Sequence, residues 1–182
     1  MLRLVLAVGI NGEVGSNDPE KMYMPWPRLK GDLENFRKVT KDTALLMGHS
    51  TYKVASQYLK NKTQIVLTSR YVNKRNFVRV SEALNYISPM IRYHGPISVI
   101  GGAKTAETFA GLYNEMIITH VKGAFPGCTR VNLNKLLKGY VKRSYKVYYD
   151  DDSGISYTIA TYRKKQLPAL YSYATLQQME LD

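Results

Sequence analysis

Residues 97–112 read ISVIGGAKTAETFAGL, and this stretch decides the fold. Its first four residues form a short apolar run with β-branched side chains, suited to a buried strand. Gly101 and Gly102 follow, and a helical pattern then runs to about Leu112. A strand that turns through two glycines into a helix is the building unit of an α/β domain. The same alternation extends in both directions. Upstream, LRLVLAVG at 2–9, TALLM at 43–47, TQIVLTS at 63–69 and FVRV at 77–80 read as strands. Between them, the amphipathic stretch that fades near Thr40, HSTYKVA after Gly48, and SEALNYIS read as helices. Ser81 is the expected N-cap of the last, and Pro89 its expected stop. Downstream, NEMIITHV at 114–121 is a further strand, and residues 123–139 read as loop with a short LNKLL turn. YKVYYDDDSGISYTIATYR alternates on both sides of an Asp-Asp-Asp-Ser-Gly turn, as an antiparallel hairpin does. The expected fold is α/β, a mostly parallel sheet with an antiparallel C-terminal edge and flanking helices. It spans residues 1–165, and 166–182 read as an appended C-terminal extension, because Pro168 breaks the pattern and the composition changes.

With 182 residues, 45% of them hydrophobic, the chain is long enough for one domain with a sizeable core. No apolar run approaches the roughly 18 residues of a membrane span. The opening MLRLVLAVGINGEVG lacks a small-residue cleavage site and reads as a first strand rather than a signal peptide. Cys128 is the single cysteine, which excludes an intramolecular disulfide and a cysteine-rich zinc site and makes the cytoplasm the default location. The formal charge of +12 attracts anions. The basic residues are dispersed, so a solvated surface comes first, a polyanionic ligand second, and specific DNA reading a distant third.

In open parallel sheets ligands bind outside the carboxyl ends of the strands. The turns after Gly9, Met47, Ser69, Ile100 and Thr119 all emerge there. Gly101-Gly102 removes two side chains where a phosphate could meet main-chain N–H groups at a helix start. Gly48-His49-Ser50-Thr51 offers a second such turn, and Ser69-Arg70 a hydroxyl and a cation after a third strand. Each is weak alone, because glycine at such turns is more often geometry than function. Together in a basic chain they favour a phosphate-rich dinucleotide. The G-x-G-x-x-G fingerprint is absent, which disfavours an ordinary Rossmann dehydrogenase.

A long irregular stretch at 10–27 precedes MPWPRLKGDLENFRKVT, residues 24–40. Loops of that length in compact domains are often functional. At about 100° per residue, Leu29, Leu33, Phe36 and Val39 share one helix face, and Asp32 falls between Val39 and Phe36 inside that apolar stripe. Burying a carboxylate is costly unless something pairs with it. A pairing with Lys30 or Arg37 on the helix flank is the bland reading, ranked lower because both cations project elsewhere.

LAVGINGEVG, MPWPRLKGDLENF, ALLMGHSTY, IVLTSR, SVIGGAKTAETF and IITHV stand in the order and rough spacing of dihydrofolate reductase, and the chain resembles that family over about residues 2–163. The most specific part is the Pro-Trp pair followed six residues later by an acid. The resemblance implies a central eight-stranded sheet and hydride transfer from NADPH to dihydrofolate. Asp32 then corresponds to the family's active-site acid, gripping the N3 and 2-amino edge of the pterin with the Thr119 hydroxyl as support. Met24 and Trp26 lie in what resembles the mobile loop over the nicotinamide. Ala7 and Ile100 resemble main-chain contacts to the pterin, Leu33 and Phe36 its apolar walls, and Leu29 and Leu59 the lining of the aminobenzoyl region. For these apolar residues core packing is an equal or better reading. Gly48, His49, Ser50, Thr51, Ser69, Arg70, Gly101, Gly102 and Lys104 resemble the NADPH-binding set, with His49, Arg70 and Lys104 the candidates for its 2′-phosphate. His120 reads as structural. Implied partners are dihydrofolate and antifolates such as methotrexate or trimethoprim, with a monomer, no membrane and no specific nucleic acid expected.

Three positions depart from the family pattern. Lys62 stands where the family grips the substrate's glutamate α-carboxylate with an arginine, and a lysine cannot reproduce that bidentate fork. Ala106 stands where many members place a tyrosine near the nicotinamide. Cys128 lies in a loop where bacterial members often carry an acid steadying the closing loop, and that loop is here about four residues longer. Two other readings remain at this point: an NADPH-dependent reductase of the riboflavin-pathway type, and a basic scaffold or nucleic-acid-binding protein without turnover.

Overall fold

The computed structural model describes residues 1–16, 24–70 and 76–165, so residues 17–23, 71–75 and 166–182, among them part of the stretch expected to close over the nicotinamide and the expected C-terminal extension, lie outside the described residues. The first strand, β1 (Leu2–Val8), is followed by the short β2 (Glu13–Ser16) and helix α1 (Lys30–Val39). Next come β3 (Ala44–Gly48), α2 (His49–Ala55), β4 (Gln64–Thr68), β5 (Phe77–Arg79) and α3 (Val80–His94). The remainder is β6 (Ile97–Val99), α4 (Ala103–Thr108), β7 (Glu115–Val121), β8 (Cys128–Arg130), α5 (Leu133–Leu137), β9 (Tyr140–Asp150) and β10 (Ile155–Lys164).

Eight strands form one sheet in the order β5-β4-β3-β6-β1-β7-β10-β9, and β2 pairs with β8 in a second, two-stranded sheet. From β5 to β7 every neighbour is parallel; β10 runs antiparallel to both β7 and β9. This is the expected mostly parallel sheet with its antiparallel edge. The central strands are buried on both faces, which is why LRLVLAV is apolar without alternation. One face carries Leu4, Leu6, Val8, Leu46, Phe109 and Ile118. On the other, Ala7, Ile117, Val121, Tyr157 and Ile159 pack with Trp26 and Leu29 where the chain enters α1. A carboxylate on the inner side of α1 therefore sits over β1 and β7.

Four expectations need correction. Pro89 does not stop α3, which continues to His94. Pro89 is exposed and so is Asn85, four residues back, so the carbonyl left without an N–H partner is solvated. Ser81 is the second residue of that helix, and Arg79 occupies the N-cap. Helix α4 ends at Thr108 rather than near Leu112. Residues 123–139 are not all loop, since Cys128–Arg130 pairs with Glu13–Ser16 inside the stretch read as irregular. Strands this short, with a register shift between Glu13 and Gly15, carry too little periodicity to stand out.

Candidate active site

The phase of α1 turns Asp32 inward. Thr119 sits on β7 in register with Ala7 of β1, and its hydroxyl donates to Asp32 Oδ1 at 2.5 Å. Thr119 is 3% exposed, so the bond lies in a place water does not easily replace. Neither Lys30 nor Arg37 neutralises the acid: Lys30 pairs with Asp152 at 2.8 Å, and Arg37 is exposed. Burial pushes the Asp32 pKa above the ordinary carboxylate value, and the Thr119 bond pulls against it without cancelling it. Among the described residues nothing donates to Oδ2, which is left for a ligand.

Around this pair, Ala7 and Leu29 are buried in the cluster beneath α1. Leu33, Phe36, Leu59 and Ile100 are each partly buried, and Ile100 N–H is bonded to Leu46 O at 2.9 Å, fixing the end of β6 against β3. Trp26 is buried and meets Phe125 edge-to-face, ring centroids 5.2 Å apart, whereas Met24 is exposed. Lys62 is engaged by main-chain carbonyls. Its ammonium donates to Thr40 O at 2.7 Å and to Lys41 O, capping the C-terminal end of α1. His120, next to Thr119 on the strand, points to the opposite face and pairs with the Tyr162 hydroxyl at 2.8 Å. Ala106 is fully buried, its carbonyl accepting from the Tyr113 hydroxyl at 2.7 Å.

The dinucleotide candidates gather at the carboxyl ends of β4, β3 and β6, three neighbours in the sheet. The Gly101–Gly102 peptide is cis, and Gly101 has φ +123°, a backbone that side chains rarely tolerate. A Cβ on Gly102 would have no neighbour nearer than Thr51 Oγ1 at 3.6 Å, so the main chain here is open to an approaching group. Gly48 is different: its Cβ would lie 2.6 Å from Thr105 Oγ1, so this glycine serves the close packing of β3 on α4. Helices α2 and α4 both begin without a side-chain cap. His49, Ser50, Ser69, Arg70 and Lys104 are exposed around them. Uncapped N–H groups, a side-chain-free turn and three basic side chains fit a phosphate-bearing dinucleotide.

One residue of consequence escaped sequence reasoning. Glu13, the first residue of β2, is fully buried. Its carboxylate accepts from Asn11 N–H at 2.9 Å, Asn11 Nδ2 at 3.0 Å and Phe125 N–H at 3.4 Å. Burial pushes its pKa up, but these donors and its own main-chain N–H win and hold it down to about 2. Through Phe125, which packs on Trp26, this acid is linked to the residues that lead into α1. Cys128 Sγ meanwhile contacts Pro126 O at 3.7 Å. The signal available in the sequence was a charged residue inside an otherwise apolar and glycine-rich turn, INGEVG.

The family model described as dihydrofolate reductase matches residues 1–164. The chain is 30% identical over 174 residues to dihydrofolate reductase type 8 of Escherichia coli, covering 91% of this chain and 97% of that protein. It is 29% identical over 106 residues to a dihydrofolate reductase of Staphylococcus aureus, covering 58% of this chain and 64% of the relative. Among solved structures, it superposes on the dihydrofolate reductase from Enterococcus faecalis complexed with NADP(H) and RAB-propyl. That match has a TM-score of 0.71 at 23% identity over 91% of this chain and 97% of the other, a likeness of fold.

Proposed function

Since this chain belongs to the dihydrofolate reductase family, we propose that it reduces 7,8-dihydrofolate to 5,6,7,8-tetrahydrofolate with NADPH at the site built around Asp32. The observation that carries the assignment is the inward carboxylate on α1, bonded to Thr119 and raised in pKa by burial. An acid so placed can accept two parallel N–H groups on the edge of a flat heterocycle, one reason a carboxylate suits the N3 and 2-amino pair of a pterin. Bound NADPH would supply the hydride to C6. The chain's own task is the other half of the reduction, the proton that N5 gains. A carboxyl with a raised pKa keeps a protonated fraction closer to neutrality than an exposed aspartate does, and such assistance is worth typically about 10²–10⁴-fold. Trp26, held against Phe125, closes the loop side and limits water.

The uncapped starts of α2 and α4 and the open Gly101-Gly102 turn would hold the phosphates, with His49, Arg70 and Lys104 available to the 2′-phosphate. Lys62, bound to α1 carbonyls, is a poor substitute for a bidentate arginine, so the glutamate tail is gripped less firmly. Among the described residues no helix is long and apolar enough to cross a membrane, and the single cysteine suits the reducing cytoplasm. Antifolates that carry the same amidine edge, methotrexate and trimethoprim, would occupy the Asp32 subsite. The extension at 166–182 follows the family-matched region and is read as an addition to it.

The test is to mix purified protein with NADPH and dihydrofolate and follow the nicotinamide absorbance, with a parallel sample containing methotrexate. Dihydrofolate-dependent oxidation abolished by methotrexate supports the assignment. Oxidation only with a ribosylamino-pyrimidinone would move the chain to the riboflavin-pathway type. No cofactor binding, with salt-sensitive DNA affinity, would make it a scaffold.

A further inference from the structure

Helix α1 has no side-chain cap of its own, because its N-cap residue is Leu29. The first N–H groups of a helix need partners, and the polar side chains nearest to them here come from the far end of the chain. The Tyr157 hydroxyl on β10 lies against the main chain of Gly31, and the Asp150 carboxylate at the end of β9 lies near that of Lys30. Tyr157 is buried and stacked on Tyr148, ring centroids 5.1 Å apart and planes within 5°. Asp150 is in turn fixed by the hairpin, accepting from Ser153 N–H at 3.0 Å and Ser153 Oγ at 2.6 Å. Lys30 and Asp152 close the rim at 2.8 Å. The fit leaves no slack: a Cβ on Gly31 would stand 2.5 Å from the Tyr157 hydroxyl oxygen and 3.3 Å from the Tyr148 ring. At its other end α1 is tied by Arg3, whose Nη1 donates to Val39 O at 2.5 Å, and by Lys62.

Asp32 follows Gly31 directly. Its carboxylate is bonded by Thr119, and the residues before it lie against two more groups of the antiparallel edge, Tyr157 beside Gly31 and Asp150 near Lys30. Val121 pairs with Tyr157 and Thr119 with Ile159, so the two hydroxyls lie on one face of adjacent strands, two residues apart along each. We propose that Tyr157, supported by Asp150, is a positioning residue for the reduction, holding the first turn of α1 through the main-chain N–H of Gly31 and so setting where the Asp32 carboxyl meets the substrate. This inference rests on the assignment of Asp32 above. The wild-type assay tests that assignment, and the variants below test the positioning relative to wild type.

The titratable groups facing this turn are Asp32 itself, Asp150 and Tyr148 from β9, and Tyr157 from β10, with Lys30 and Asp152 at the rim. Tyr157→Phe keeps the ring and its stack and removes only the hydroxyl. Single-turnover hydride transfer should slow by about 10-fold, the scale of one hydrogen bond, with NADPH affinity unchanged. A loosened α1 lets water reach Asp32, so the pH midpoint of the hydride rate should move down toward the ordinary carboxylate range. Gly31→Ala should be worse than Tyr157→Phe, and combining the two should restore part of the rate lost in Gly31→Ala, because removing the hydroxyl oxygen makes room for the methyl. Asp150→Asn, which keeps an acceptor, should shift the midpoint less than Tyr157→Phe. An unmoved midpoint in Tyr157→Phe, or additive losses in the Gly31 and Tyr157 pair, overturns the proposal. Should Tyr157→Phe fail to fold, the Asp150→Asn and Asp150→Ala pair decides: only the alanine should shift the midpoint appreciably.

Discussion

Replacing Thr119 by valine isolates the contact on which the site depends. The side chain is 3% exposed and valine has nearly its shape, so the change removes one hydroxyl and leaves the packing of β7 in place. The lost bond is charge-assisted, at 2.5 Å to Asp32 Oδ1, and such bonds are worth about 1.5–3 kcal/mol. If all of that appeared in the transition state, kcat/KM for dihydrofolate would fall roughly 10- to 150-fold at about 1.4 kcal/mol per decade. The bond already exists before substrate arrives, so only the share that orients the acid counts, and the low end, about 10-fold, is expected. The pH dependence is sharper than the rate. Burial raises the Asp32 pKa and the Thr119 hydroxyl lowers it; without the hydroxyl burial acts unopposed. The midpoint of kcat/KM, followed by nicotinamide absorbance at saturating NADPH, should therefore move to higher pH. Thr119→Ser, which keeps the donor, should stay near wild type. A midpoint that stays put or moves down, with kcat/KM within about twofold of wild type, would refute the reasoning.

Asp32→Asn should leave NADPH binding nearly intact and sharply reduce turnover near neutral pH, while gaining about 0.5–2 kcal/mol of stability there, as removal of a functional buried charge often does. Because burial raises this pKa, the wild-type acid costs stability only as pH rises above the unfolded value, so denaturant midpoints of the two proteins should converge below about pH 4. Glu13→Gln should behave in the opposite sense. The native carboxylate, held down to about 2 from an ordinary value of 4.5, contributes stability that is present above pH 4.5 and lost as pH falls toward 2, so the variant's deficit at neutrality should vanish in acid. Arg70→Ala should weaken NADPH about 10-fold in fluorescence titrations and leave NADH unaffected; equal losses for both would remove Arg70 from the 2′-phosphate.

The parallel core was legible because strands buried on both faces must be apolar throughout, as in LRLVLAV and ALLMG. Asp32 was legible because helical phase is set by geometry, and one charge inside an apolar stripe stands out at 3.6 residues per turn. Thr119 was not readable on these grounds. Its role depends on β7 lying beside β1, a pairing between residues far apart in the chain, and only likeness to a family brought it forward. The same holds for Tyr157 and Asp150, which lie beside the start of a helix more than a hundred positions earlier. Glu13 and the β2–β8 pair were lost because short strands with a bulge show no period. Lys62 was legible only as a departure from a substrate-gripping arginine, and that its ammonium meets the carbonyls that end α1 depends on a contact twenty-two residues away in the chain.

The buried Glu13 and the half-buried Asp32 thus have opposite electrostatics, and the difference is a matter of counting donors. Glu13 receives N–H groups from Asn11, from Phe125 and from its own main chain, enough to replace its hydration, so it stays ionised and works as a fixed brace. Asp32 receives a single hydroxyl, which does not replace what burial removes, so its proton is held more tightly than in water. An under-satisfied acid is unfavourable for folding and is tolerated because α1 is held independently of it, by Arg3 and Lys62 at its C-terminal end and, on the proposal above, by Tyr157 and Asp150 at its start. Were Asp32 itself responsible for docking the helix, it would have to be fully bonded, and no hydrogen-bonding capacity would remain for a substrate. Separating the groups that hold α1 from the group that α1 presents leaves one carboxylate oxygen available at a defined place.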